Sequence, residues 1–417
     1  MGQITLMKAF ESELCGRLAA LRKQGLYREL RRIDSPQMAQ VISGGRLLVN
    51  FSSNDYLGLA NEPLLKEAAI EAIKKHGAGA GASRLISGSL APHHLLEEQL
   101  AAFKGVEAAL TFATGYAAAL GTIGALMGQQ DVVILDKLSH ACLIDATRLS
   151  GATLRVFAHN DLNQLEDRLK WACDRNKNVR IDGTPRPRAL VVTESVFSMD
   201  GDQPPLKEIV ELKERYGAWL MVDEAHATGV YGANRCGVLE ELGLSDQVEI
   251  QMGTLGKAVG ASGGYICGSR ALIEFLVNRA RSFIFSTAPV PASAAAAAAG
   301  VRFIQSGAGE DRRRTLWQRI AQLEASLSIA PGTKLGAVVP LIVGNENKAM
   351  RTAEELREQG IFIPAIRYPT VARGSARLRV SLTASHSAGE LERLVAALRS
   401  LELIPAASGV QSHASVG

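Results

Sequence analysis

Cysteine is scarce and scattered: the 417 residues hold five, at Cys15, Cys142, Cys173, Cys236 and Cys267, with no close pair of the kind that grips zinc. Reduced thiols in a cytoplasmic protein are therefore the expectation. His93 and His94 are merely adjacent, and Asp223 with His226 has no evident third ligand, so no metal site is expected. Charge of one sign is scarce as well. The 46 Lys and Arg exceed the 42 Asp and Glu by only four, and the excess is spread along the chain, which argues against dedicated nucleic-acid binding. The longest central apolar run, Thr287 to Ile304, is built from small alanines, is interrupted by prolines and contains Arg302. It reads as a buried helix and not as a membrane span. The opening MGQITLMKAFESELCGRL lacks a basic segment followed by an apolar core and carries acids, so no secretory signal is expected.

What is present is ordinary globular composition, 47% hydrophobic and 21% charged, in a chain long enough for one large α/β domain and a smaller one. Residues 1–90 read as an N-terminal helix from Lys8 to Arg32, a hairpin around Gly44 and Gly45, and a small-domain segment whose helix stops at Gly77. From 91 to 290 short apolar strands (AALTF, DVVILD, TLRVFA, RALVVTE, AWLMVDE, VEIQMGT) alternate with helices, the pattern of a largely parallel sheet covered on both faces. Residues 291–405 read as a linking helix from Ala292 to Ser306, a second from Asp311 to Leu327, and a C-terminal α+β domain. The Ser-, Gly- and Ala-rich stretch 406–417 reads as a flexible tail.

One lysine stands out. Lys257 follows a strand in MGTLGKAVGASGGYICG, where five nearby glycines leave room for a flat ligand or for close approach of backbone. A lysine that forms a Schiff base needs partial desolvation and a partner that keeps its amine neutral often enough to attack. Asp223 and His226 follow the strand AWLMV, and the carboxyl end of a parallel strand faces the crevice where open α/β sheets bind ligands. The letters Asp223-Glu224-Ala225-His226 also occur in nucleotide hydrolases, but no GxxxxGK followed by Ser or Thr is present to hold a triphosphate. Thr114, Gly115 and Tyr116 lie where a strand turns into a helix, and the free amides of a helix start favour a phosphate. His140 and Ser195 likewise follow strands; His140 is open to reading as a ring-stacking group or as a surface turn residue.

With these residues in place, the chain resembles the α-oxoamine synthases, pyridoxal 5'-phosphate enzymes of the aspartate-aminotransferase-like fold. The motifs LYRELRRIDSPQ, NFSSNDYLGLA, GAGASRLISGSLAPHHLLE, TFATGY, KLSHACLIDA, ESVFSMDGD, VDEAHATGVYG, TLGKAVGASGGY and PTVARGSARLRVSLTA carry the resemblance over nearly the whole chain. It implies fold type I: a mostly parallel seven-stranded sheet covered by helices, a smaller C-terminal α+β domain and an N-terminal arm. It also implies that Lys257 binds the cofactor covalently, His140 stacks on the ring, Asp223 meets the pyridine nitrogen, and His226 and Ser195 lie near the phenolic oxygen. Thr254 and the turn Thr114–Tyr116 would bind the cofactor phosphate, and Ser286 and Thr287 would reach that of a second subunit, making a homodimer with shared sites. Arg379 would clamp the amino-acid carboxylate. Arg28 and Arg367 are candidates for the acyl substrate's far end and read equally well as solvated surface groups. The implied activity is acyl transfer: L-alanine condenses with pimeloyl-CoA or a pimeloyl acyl carrier protein, releasing carbon dioxide and thiol, with no membrane or nucleic-acid partner. A glycine C-acetyltransferase, another α-oxoamine synthase or an aminotransferase is the alternative. Tyr368 and Ala372 depart from the family pattern at the wall of the acyl channel.

Overall fold

Seven short strands between residues 108 and 268 pair into one sheet, read from edge to edge as Ala108–Phe112, Gly264–Gly268, Ile250–Thr254, Trp219–Asp223, Ala189–Glu194, Val132–Asp136 and Thr153–Phe157. The computed structural model describes residues 2–177, 187–327 and 334–405; the tail expected over 406–417 lies outside them. Six of the strands run in one direction, and Gly264–Gly268 lies antiparallel between Ala108–Phe112 and Ile250–Thr254. Every residue of Val132–Asp136 is buried, as expected of a strand covered on both faces. On one face Leu110, Val133, Leu190, Met221 and Ile266 pack with Ile123, Leu143 and Phe283 from the surrounding helices.

The mostly parallel seven-stranded sheet agrees with the fold expected from the motifs, but six of its strands are legible as apolar runs and Gly264–Gly268 is not. Its glycines are set by packing. A Cβ on Gly264 would sit 2.5 Å from the Gly115 Cα, and one on Gly268 would sit 2.8 Å from the Glu249 carbonyl oxygen.

The chain divides into two compact units. One, Asn54–Gln318 with Thr383–Ser385, holds this sheet. The other gathers Met1–Ser53, Arg319–Leu382 and His386–Gly417. It contains two three-stranded sheets, one built from Gln40–Ser43, Arg46–Asn50 and Ile361–Phe362, the other from Val338–Gly344, Ala376–Ser381 and Ala365–Ile366. The N-terminal helix runs Gly2–Lys23 and not to Arg32. Gly25 stops it at φ 67°, with the Leu26 amide donating to the Leu21 carbonyl at 2.9 Å, a left-handed ending that glycine accepts without strain. The later helix expected from Asp311 begins at Gly307, because the Ser306 hydroxyl caps the Gly309 amide at 3.2 Å. Among the described residues no helix is long and apolar enough to cross a membrane.

Candidate active site

The carboxyl ends of the parallel strands bring most of the expected residues together. Lys257 lies in the turn after Ile250–Thr254, held by Gly260 N to Lys257 O (2.9 Å) and Ala261 N to Leu255 O (2.8 Å). Gly260 has φ 75°, and a Cβ there would be 2.5 Å from the Leu59 carbonyl carbon; Gly253 faces the Tyr265 ring, 2.3 Å from where its Cβ would lie. Much of the room left by these glycines is therefore taken by the protein itself.

Lys257 Nζ is 2.8 Å from His226 Nε2, and His226 Nδ1 is 2.6 Å from the Tyr56 hydroxyl. His226 is 6% exposed and Tyr56 is fully buried, so the lysine amine ends a buried hydrogen-bonded chain. Asp223, the last residue of its strand, is also buried, and one carboxylate oxygen accepts the Ala225 amide at 2.9 Å. Burial raises its pKa, while the charges of Lys257 and His140 work against the rise. Beside it in register stands Glu194, whose carboxyl is pushed up to about 8 by burial and by the Asp223 charge. Two neighbouring buried carboxyls cannot both ionise cheaply.

His140 caps the helix Ala141–Ser150, accepting the Cys142 amide on Nδ1 at 3.2 Å, and its own amide donates to Glu194 Oε1 at 2.6 Å. Although its surface is open, the crowded surroundings lower the imidazole pKa, with Asp223 and Lys257 the first charges acting on it. Ser195 is buried, and its amide donates to the Asp223 carbonyl at 2.9 Å.

Thr114 caps the helix Gly115–Leu126 through its hydroxyl, which accepts the Ala117 amide at 3.0 Å. Gly115 lies against Thr254, 3.8 Å from its Cβ to where a Gly115 Cβ would be, so the helix start and the turn before Lys257 form one cradle. The Thr254 hydroxyl donates to the Gly263 carbonyl (3.0 Å), and Tyr116 donates to Asp145 (2.6 Å). Ser286 and Thr287 lie elsewhere in this unit, where Thr287 bridges to Ser83.

Three expected arginines belong to the other unit. Arg379 is buried on the strand Ala376–Ser381 and donates to the Ser381 hydroxyl at 2.7 Å. Arg28 and Arg367 meet across two segments: Arg28 donates to the Tyr368 carbonyl at 3.2 Å, and Arg367 donates to the Tyr27 carbonyl. Burial and the Arg28 charge lower the Arg367 pKa. Tyr56, Glu194 and Lys104 were not singled out from sequence. Tyr56 stood inside the motif NFSSNDYLGLA, whereas nothing near Lys104 marks its buried contact with Glu224.

A model of class I and II aminotransferases matches residues 46–398. The chain belongs to the class I and II aminotransferases. Within that family it is similar to the 8-amino-7-oxononanoate synthase of Geobacter sulfurreducens, 46% identical over 92% of this chain and 96% of the relative. Among solved structures it is similar to serine palmitoyltransferase from S. paucimobilis with a bound PLP-myriocin aldimine, at 28% identity and TM-score 0.84, covering 96% of this chain and all of the other. An 8-amino-7-oxononanoate synthase structure from Francisella tularensis is 28% identical with TM-score 0.70, covering 85% of this chain and 98% of the other. The α-oxoamine synthase resemblance drawn from the motifs is thus met along most of the chain.

Proposed function

We propose that the chain is a pyridoxal-phosphate-dependent acyltransferase, an 8-amino-7-oxononanoate synthase. It condenses L-alanine with a pimeloyl thioester, releasing carbon dioxide and free thiol, in biotin biosynthesis. The observation that carries the reading is the contact of Lys257 with the buried His226, beside a buried Asp223, in a chain 46% identical to an 8-amino-7-oxononanoate synthase.

The residues fit the cofactor. Asp223 is a buried carboxyl whose charge costs energy unless a cation meets it, and a protonated pyridine nitrogen supplies one. The cradle of Thr114, Gly115, Tyr116 and Thr254 offers helix-start amides and the Thr114 hydroxyl to a phosphate. When bound, pyridoxal phosphate supplies an electron sink that acidifies the amino acid's Cα–H. Lys257 would hold the cofactor and, once its amine is free, would take the Cα proton; one residue can serve twice because it is already in place. Tyr56 and His226 orient its amine through their hydrogen bonds. Ser195 and His226 are assigned to the phenolic oxygen. His140 would lie against the ring and would donate to the thioester oxygen as charge grows there, a kind of contact worth about 3 to 4 kcal/mol in a transition state. Arg379 holds the alanine carboxylate, for which a planar guanidinium is suited. The paired cations Arg28 and Arg367 match the free carboxylate at the far end of a pimeloyl chain. Ser286 and Thr287 are assigned to the cofactor phosphate of a second copy in a cytoplasmic homodimer.

A spectroscopic titration tests the reading. With L-alanine the absorbance of the lysine-bound cofactor is expected to shift, and pimeloyl-CoA added next should release free thiol. A response confined to glycine and acetyl-CoA would move the assignment to a glycine C-acetyltransferase.

A further inference from the structure

Two active-site turns are tied together by a histidine that the chemistry above does not use. Asp136 ends the strand Val132–Asp136 and organises the turn that leads to His140: its Oδ1 accepts the Leu138 amide at 2.8 Å, and its carbonyl accepts the Ser139 amide at 3.1 Å. Asp202 closes the turn after Ser195, its carbonyl accepting the Phe197 amide at 2.9 Å. His159 lies between them, with Nδ1 3.0 Å from Asp136 Oδ1 and Nε2 2.7 Å from Asp202 Oδ2. Its ring meets Phe197 edge-on, with centroids 4.4 Å apart. Asn160, in the left-handed region at φ 58°, adds a bond from its amide nitrogen to Asp202 at 3.1 Å. The same two turns meet again at Glu194, which accepts the His140 amide on one oxygen and the Ser198 amide (3.2 Å) on the other.

We infer that His159 is a positioning residue: by bridging Asp136 and Asp202 it locks the turn carrying His140 against the turn that follows Ser195, and so sets where the His140 ring stands. The inference rests on the proposed role of His140, but the bridge itself does not.

A neutral imidazole donates from one nitrogen only, so a bridge to two carboxylates requires the imidazolium. Burial opposes that charge, yet the hydrogen bonds to Asp136 and Asp202 outweigh it and hold the pKa up to about 10. The folded value lies above the unfolded one, so the stabilisation is complete below about pH 6.5 and is lost as pH rises through about 10. Thermal unfolding of the wild type should lose a component across that window which His159→Gln lacks. Identical profiles would mean a neutral ring and would overturn the bridge.

The decisive experiment uses cofactor-free protein and follows the His140 Cε1–H resonance, assigned with His140→Gln, in His159→Gln and in Asp202→Asn. The resonance is expected to shift or split in both, and in the same variants loaded with cofactor kcat is expected to fall roughly 10- to 100-fold, the scale of a displaced reacting group. An unmoved resonance in both, whatever happens to the melting temperature, makes His159 a structural contact only; movement in one alone also overturns the inference, since a bridge fails when either end is cut. Should His159→Gln not fold, Asp202→Asn decides by itself. Because this readout needs neither cofactor nor substrate, it stands apart from any failure of the synthase assignment.

Discussion

Lys257→Ala is expected to erase the absorbance of the lysine-bound cofactor and to stop condensation. The loss is large because one amine is assigned two tasks. Removing a positioned general acid–base alone costs about 10²- to 10⁴-fold, and the site for covalent attachment goes with it. What remains is informative. Asp223, the cradle of Thr114 and Thr254, and the Tyr56–His226 hydrogen bond do not depend on the Lys257 side chain. The variant should therefore still bind pyridoxal phosphate without a covalent bond, measurable by fluorescence titration. Excess L-alanine, bringing an amine of its own, should restore an absorbance band without restoring thiol release. Turnover at the wild-type rate together with an unchanged spectrum would remove Lys257 from its assigned role.

The residues that carry charge or hydrogen bonds to the site were legible because strand ends are legible. Asp223, Ser195, Lys257 and His140 each follow an apolar run, and a parallel sheet gathers such ends along one edge. The glycines around Lys257 read as room for a flat ligand or for close approach of backbone; Gly260 meets the second reading against the Leu59 backbone, while Gly253 admits the Tyr265 ring. The same substitution of packing for propensity hid the strand Gly264–Gly268, which carries glycine at both ends and little of the β-branched signature. His159 and Glu194 were missed for a different reason. Their significance lies in partners 23 to 54 residues away, and no local spacing encodes a meeting of that kind.

Lys104 is the extreme case, and removing it should destabilise the fold more than any surface change. It ends the helix Ala91–Lys104, in whose last turn a cation ordinarily faces water. Instead its side chain is 1% exposed and pairs with Glu224, also 1% exposed, 120 residues away. The ammonium also donates to the Cys236 carbonyl at 2.5 Å. Burial opposes its charge, but the Glu224 carboxylate prevails and raises its pKa. Glu224 accepts the Leu239 amide at 2.9 Å and lies between Asp223 and His226, so the pair pins the turn that carries both. In Lys104→Met a carboxylate stays buried without its cation, a loss that costs about 3–5 kcal/mol. The midpoint of urea unfolding, followed by tryptophan fluorescence, should fall accordingly, and cofactor retention should fall with it. Adding Glu224→Gln should recover part of the stability, because the uncompensated charge is then gone while an amide oxygen can still accept from Leu239. If Lys104→Met unfolds at the wild-type midpoint, or if the double variant is weaker than both singles combined, the pair does not hold the turn.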